Sequence, residues 1–249
     1  MRVIESMKIS IVVPVFNEAD NIFSLLEQIE RAMSQAQAYE IIYVDDGSQD
    51  QTGAQLIQAL QKFPRLRVIR HQQRYGQSTA IHTGVRAANY PWIATLDGDG
   101  QNDPGDILHL IDVFTHKVQA QPNLWMVAGF RNQRRDASWR LFCSWFANTV
   151  RAALLGDETP DTGCGIKLFL RDKFLLLPFF NHMHRFLPTL MIRAGGAVIS
   201  EPVRHRPRIN GQSKYAVLDR LGVGVIDLLG VMWLQKRSRI AIAEEVKRE

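Results

Sequence analysis

The chain has 249 residues, 46% hydrophobic and 22% charged, an ordinary globular composition with enough length for a sizeable core in one large α/β domain or two small ones. Its two cysteines, Cys143 and Cys164, lie in no CxxC or Cys/His cluster, which argues against structural zinc and reads as reduced thiols in a cytosolic protein. Lys and Arg exceed Asp and Glu by 30 to 25, which leaves two readings open: a solvated surface, or an anionic partner such as a phosphate, a nucleic acid or a membrane surface.

Met1–Met7 has no apolar stretch of the signal-peptide kind, and Met7 is an alternative start. Ile9–Phe16 (ISIVVPVF) is a β-branched run expected as a buried strand. Asn17–Asp20 opens a helix with apolar spacing at Ile22, Leu25, Leu26 and Ile29. Glu40–Val44 is a second strand ending in DDGSQD, Gln51–Phe63 a helix and Leu66–His71 a third strand. Gly76–Ala88 reads as a helix and Trp92–Leu96 as a fourth strand running into TLDGDGQNDP. A helix over Pro104–Lys117, a strand at LWMVAGFR and an Arg-rich loop over Arg131–Arg140 follow, then an amphipathic stretch over Trp139–Leu155. DTGCGIKLF turns into a strand, the region around HMHRFLPTLMIRAGG suggests a helix beside a mobile loop, and AVISEPVRHRP is a strand. Strands alternating with helices imply a mostly parallel sheet, whose ligands sit beyond the carboxyl ends of its strands. NEAD, DDGS and DGDGQND all fall there, three pointers to one crevice.

The last apolar stretch, Leu221–Leu234, is shorter than a spanning helix, carries Asp227 and is followed by Lys236, Arg237 and Arg239. It fits an interfacial helix, and equally a buried core or dimer helix. No internal repeat or low-complexity linker is visible. The expected division is 1–215 as the main domain and 216–249 as a C-terminal apolar and basic helix.

Asp97 and Asp99, two residues apart after a strand, can turn oxygens toward one hard cation, and Gln101 adds a neutral oxygen. Like charges this close repel unless something positive lies between them. The adjacent glycines, Gly98 among them, free the backbone and keep side chains away from a bulky ligand. Asp45 and Asp46 can accept from a ribose hydroxyl or a base N–H, or cap the following helix with Ser48 and Asp50. An EF-hand would need Glu where Leu108 stands, and no GxGxxG or P-loop pattern follows a strand.

IVVPVFNEAD, YVDDGSQDQTG, TLDGDGQNDP, DTGCGIKLF and RINGQSKY occur in this order. Together they resemble a family 2 glycosyltransferase of the GT-A fold, in the branch of dolichyl-phosphate mannose synthase and the bacterial polyprenyl-phosphate glycosyltransferases. The resemblance runs from about Lys8 to Tyr215. It implies an α/β fold with a mostly parallel sheet flanked by helices. It also implies inverting sugar transfer from a UDP- or GDP-sugar to a polyprenyl phosphate with Mg²⁺ or Mn²⁺. By the same resemblance Asp97, Asp99 and Gln101 would hold the metal and donor, and Pro14, Phe16, Glu18, Val44, Asp45 and Asp46 would line the nucleotide pocket. Phe16 stands where relatives often have Tyr. Arg131 would face the phosphates, with Arg140 and Arg135 as further phosphate contacts, and Arg208 and Lys214 would close from a loop. Asp161 would order the acceptor side, or serve as general base if the acceptor were a hydroxyl, a role an acid in Asp97–Asp106 could also fill. His182, His184 and Arg185 are read as acceptor-side or surface residues. Many members of that branch continue into spanning helices, so the single shorter stretch here implies peripheral attachment at the cytoplasmic face of a membrane, with a homo-oligomer as the other use of that helix. Two alternatives stand beside this reading: a family 2 transferase acting on a glycan or lipid-sugar hydroxyl, and a non-catalytic nucleotide-sugar or nucleic-acid binder. The main reading expects no nucleic acid partner.

Overall fold

The computed structural model describes residues 7–36, 38–131, 151, 154–157, 159–206 and 217–237. The chain divides into two compact units, one ending at Ser213 and one beginning at Lys214.

In the first unit the strands are β1 (Lys8–Val15), β2 (Ala38–Asp45), β3 (Leu66–Arg70), β4 (Trp92–Thr95), β5 (Leu124–Arg131), β6 (Lys167–Leu170) and β7 (Ala197–Val203). The helices are α1 (Ile22–Ala32), α2 (Thr52–Lys62), α3 (Gln77–Ala87), α4 (Asp106–Val118), α5 (Arg171–Leu175) and α6 (Leu187–Arg193). All seven strands form one sheet in the order β3-β2-β1-β4-β6-β5-β7. β1, β2, β3 and β4 are mutually parallel, with β1 and β2 in register from Lys8↔Ala38 to Val15↔Asp45. β6 runs antiparallel to both β4 and β5, and β7 lies parallel to β5. This antiparallel strand is the departure from the simple alternating scheme. Helix and strand limits otherwise agree with the expected elements to within two residues through β5, except that the helix expected to open at Asn17–Asp20 starts as a 3₁₀ turn at Ala19–Asn21 and becomes α1 at Ile22.

The sheet has two covered faces because β1 is apolar on both. Ile9, Ile11, Val13 and Val15 join a core with Ile22, Leu25, Leu26 and Ile29 of α1 and Ile107, Leu110 and Ile111 of α4. On the other face Val12 and Val44 meet α3 at Gly84, where an added Cβ would collide with a Val12 methyl. Continuous burial on both sides is what parallel strands require.

The same face hides a carboxylate at the amino end of the sheet. Glu40 is buried in β2 and accepts from the Ser10 hydroxyl (2.7 Å), from Asn89 N (2.6 Å) and Nδ2 (2.9 Å), and from Arg67 Nη1 (2.6 Å). Burial alone would raise its pKa, but the hydrogen bonds from Ser10, Asn89 and Arg67 outweigh it and hold the group below the usual carboxylate range.

The second unit contains α7 (Val217–Arg237), which is longer than the expected stretch. Its apolar character is not sustained: Asp219, Arg220 and Asp227 interrupt it, and no helix among the described residues is long and apolar enough to cross a membrane. The expectation of an apolar C-terminal helix is therefore corrected to a mixed one. Val225, Ile226, Leu229 and Trp233 are exposed on it, and Lys236 and Arg237 end it.

Glu40→Gln should lower stability by roughly 1–3 kcal/mol, since it leaves Arg67 and the Asn89 amide without a charged acceptor. Because the folded pKa is depressed, the lost stability is that present near neutral pH, and the gap to wild type should close as pH falls below the normal carboxylate range. Thermal unfolding at pH 7 and pH 3.5 checks this.

Candidate active site

The carboxyl ends of β1, β2 and β4 carry the three polar clusters side by side, in the order the sheet dictates. Asp45 is fully buried and accepts the Ser48 amide at 2.9 Å, with Arg70 Nε 3.4 Å from its other oxygen. Asp46 is 3% exposed and accepts the backbone amides of Tyr75 (2.8 Å) and Gly76 (2.7 Å), with His71 Nδ1 at 2.8 Å. These acids therefore build the wall between β2 and α3. Asp45 is turned into its own loop, which corrects the expectation of a side chain lining the nucleotide pocket. Asp46 keeps one acceptor position on Oδ2. Val44, also expected to line the pocket, is fully buried against α3 and packs the core instead.

Pro14, Phe16 and Glu18 lie at the end of β1 and the turn after it. The Arg74 guanidinium covers the Phe16 ring at 4.3 Å from its centroid, a cation–π stack that the lack of a tyrosine hydroxyl leaves intact. Glu18 Oε2 accepts Asn21 Nδ2 at 2.8 Å, and its amide donates to Thr52 Oγ1. Gly47, at φ +72°, packs so closely on the Gln73 backbone that a Cβ would overlap it, so DDGS and the segment His71–Gly76 are fitted together.

Asp97 and Asp99 follow β4. Asp97 Oδ1 accepts from Gln77 Nε2 at 2.8 Å, and its amide donates to Asn102 Oδ1 at 3.2 Å. Burial first, and the Asp99 charge second, push the Asp97 carboxyl up to about 6; Lys167, Arg131 and the Gln77 hydrogen bond pull the other way. Asp99 Oδ1 accepts the Gln101 amide at 3.1 Å. Gln101 Nε2 is engaged by the Arg206 carbonyl (3.3 Å) and His205 Nε2 (3.4 Å), which leaves its Oε1 as the side-chain acceptor. The space beside Gly98 is filled by Val15 and the Pro14 carbonyl, so that glycine is required by β1, not by a ligand.

Asp103 and Asp106, the next acids, are neutralised by the segment after β7. Arg204 Nη1 and Arg206 Nη2 lie 2.9 and 2.6 Å from Asp103 Oδ2, and Arg204 donates to Asp106 through Nε at 2.8 Å and its amide at 2.7 Å. These arginines, and His205 between them, were missed in the sequence. The only signal was the basic run VRHRPR at a strand end.

Arg131, the last residue of β5, holds Asp161 with two parallel bonds, Nε–Oδ2 at 2.6 Å and Nη2–Oδ1 at 2.9 Å. The sequence placed both residues at the site but did not pair them. Gly165 lies against the Asp97 carboxylate with no room for a Cβ, and its carbonyl accepts from Thr95 Oγ1 at 2.6 Å. Cys164 is buried with its thiol pKa raised, first by burial, so it is no nucleophile. Ser78 Oγ accepts the His184 amide at 3.1 Å and sits 2.7 Å from His184 Nδ1; burial, then Arg185, keeps this imidazole neutral. Arg135, Arg140, Arg208 and Lys214 lie outside the described residues.

The Asp97 and Asp99 carboxylates and the Gln101 amide oxygen are hard oxygen donors of the kind Mg²⁺ or Mn²⁺ takes. The repulsion between Asp97 and Asp99 is the observation that fits a cation there.

The sequence pattern of glycosyl transferase family 2 matches residues 10–176, so the chain belongs to that family. It is 32% identical to the dodecaprenyl-phosphate galacturonate synthase of Rhizobium johnstonii over 94% of this chain and 69% of that protein. It is 30% identical to the undecaprenyl-phosphate 4-deoxy-4-formamido-L-arabinose transferase of Edwardsiella ictaluri over 84% of this chain, but spans only 63% of that relative's length. Its fold resembles glucosyl-3-phosphoglycerate synthase from Mycobacterium tuberculosis, solved with Mn²⁺, uridine diphosphate and phosphoglyceric acid (TM-score 0.68, 20% identity, 96% of this chain and 83% of that one).

A carboxyl whose folded pKa is raised stabilises the fold only below its unfolded pKa, and that contribution is lost as pH rises to about 6. In metal-free protein Asp97→Asn should therefore melt higher relative to wild type at pH 7.5 than at pH 4.5, by a margin of roughly 1–3 kcal/mol. Unfolding curves in chelator at the two pH values check this.

Proposed function

We propose that this chain transfers a sugar, with inversion, from a UDP- or GDP-sugar to a polyprenyl phosphate. The observation that carries the choice of acceptor is the state of the acids. Asp103 and Asp106 are tied to Arg204, and Asp161 is held on both oxygens by Arg131. A hydroxyl acceptor needs a general base, and these candidates are committed to guanidinium groups. A phosphate monoester arrives already ionised and needs positioning instead. The relatives whose names print dodecaprenyl and undecaprenyl phosphate support the same acceptor class.

In this reading Asp97, Asp99 and Gln101 would hold a Mg²⁺ or Mn²⁺ ion, which when bound supplies charge stabilisation to the departing nucleoside diphosphate. Gln77 and Gly165 fix the Asp97 carboxylate from two sides. Phe16 and Asp46 receive the base, and the Arg74 stack yields its place on the ring or closes over the ligand. Asp161 orients Arg131 toward the phosphates. Arg140, Arg208 and Lys214 are assigned further phosphate contacts on sequence alone.

Peripheral attachment at the cytoplasmic face of a membrane completes the proposal. Its support is the exposed row Val225, Ile226, Leu229 and Trp233 on α7, ending in Lys236 and Arg237.

Purified protein incubated with Mn²⁺, undecaprenyl phosphate and a panel of UDP- and GDP-sugars should form one lipid-linked sugar, detected by mass spectrometry. Asp99→Ala should reduce the rate at least a hundredfold. Product formed only on a sugar alcohol would replace this acceptor by a hydroxyl. In a separate sedimentation assay, Leu229→Glu with Trp233→Glu should release the protein from anionic vesicles. A variant that instead keeps its vesicle binding and changes its oligomeric state assigns α7 to subunit contact.

A further inference from the structure

The DTGCGIK motif ends in Lys167, a side chain that the proposed transfer leaves without a role. It is the first residue of β6, 4% exposed, and paired across the sheet with Thr95, two residues before Asp97. Its Nζ donates to the carbonyls of Thr162 (3.4 Å) and Cys164. The Asp161–Lys167 turn is thus wrapped around an ammonium group. Burial lowers its pKa, while Cys164, Asp97 and Asp161 favour its charged form.

We propose that Lys167 makes divalent-cation binding conditional on the donor's diphosphate, a reading that rests on the metal and donor site assigned above. Two observations lead there. Among the described residues no group of three or more His, Cys, Asp or Glu side chains is placed to hold a metal ion by itself. The carboxylates that are present share their surroundings with two fixed cations, Lys167 and Arg131, both of which act on Asp97. With Arg131 matched by Asp161, a bare divalent ion entering such a site meets two acids against the one unmatched charge of Lys167, which removes about half of their attraction. A nucleoside diphosphate brings about two or more negative charges and further hard oxygen ligands, which restore both the charge balance and the coordination. Arg131 is already committed to Asp161. Lys167 gives its two hydrogen bonds to carbonyls, and among the described residues its Nζ forms no ion pair with a carboxylate. It is therefore the residue whose field falls on the metal position, and it acts there as a positioning residue through Asp97.

The arrangement also explains why the ammonium is buried. A surface lysine would be screened by water and salt and would swing away from the site. Wrapped by the turn whose Thr162 and Cys164 carbonyls it binds, Lys167 keeps its charge at one place.

The test measures Mn²⁺ binding directly, by the loss of the free-ion paramagnetic resonance signal, in the full chain without nucleotide. It then measures UDP and GDP affinity with and without Mn²⁺. In wild type, nucleotide-free Mn²⁺ binding should be weak, and Mn²⁺ should tighten one nucleotide at least tenfold. Lys167→Met and Lys167→Gln should each bind nucleotide-free Mn²⁺ at least fivefold more tightly, and the tenfold coupling should shrink. Lys62→Met, an exposed lysine of α2, should leave both unchanged. Unchanged or weaker Mn²⁺ affinity in the folded variants overturns the proposal. So does a wild-type protein that binds Mn²⁺ as tightly alone as with nucleotide, whatever the variants do. If no nucleotide binds in the presence of Mn²⁺ and Asp99→Ala changes nothing, the donor-site reading itself falls, and this inference with it.

Discussion

The placement of one antiparallel strand governs the whole site. β6 lies between β4 and β5 and runs against both, so its beginning meets the carboxyl end of β4. The turn that feeds β6 is thereby laid beside the acids that leave β4. A parallel strand in that place would have carried DTGCGI to the opposite edge of the sheet. The consequences are local and tight. Gly165 backs the Asp97 carboxylate, the Thr95 hydroxyl closes on the Gly165 carbonyl, and Asp161 reaches Arg131 at the end of β5. Any side chain at 165 would push the first acid of the cluster out of line.

A second organiser is the start of α3, where three consecutive residues serve three loops. The Gly76 amide donates to Asp46, the Gln77 side chain to Asp97, and Ser78 pairs with His184. The DDGS loop, the turn that carries Asp97 and the turn before α6 are thus referred to one helix end. That helix in turn packs on β1 and β2 through Gly84, with no side chain between. The site inherits the rigidity of the sheet through backbone contacts more than through long side chains.

Much of this could be read from residue order, and the reason is periodicity. Continuous β-branched runs such as IVV and IIYV mark strands buried on both faces, and the polar clusters behind them fall at their carboxyl ends in any parallel sheet. The element limits and the neighbourhood of Asp46, Asp97 and Phe16 follow from that. Partnership between charges does not. Asp97 and Asp103 look alike in TLDGDGQNDP, yet one is held by an amide and a glycine and the other by two arginines about a hundred residues away. Sequence reading likewise assigned Asp45 and Val44 to a ligand, because a strand end cannot reveal which way its last side chains turn. Gly98 was credited to ligand access when Val15 claims its space.

The charge pattern that results separates acids by what they can still do. Glu40 is sealed at the far end of the sheet, Asp103, Asp106 and Asp161 are matched to guanidinium groups, Asp45 is spent on the loop it shapes, and Asp46 keeps a single acceptor position. Asp97 and Asp99 remain as a pair of like charges, and the raised pKa of Asp97 reflects burial first and the Asp99 charge second. Folding would not select such a pair for stability, because neutral residues of the same size would relieve the strain. A pair of like charges backed by a glycine and aligned by an amide is what the proposed cation site would use. In the proposed transfer the leaving group and the acceptor are both anionic, and the remaining work is to hold like charges together long enough to react. For that work arginines paired to carboxylates, an enclosed lysine and a divalent ion serve better than a general base.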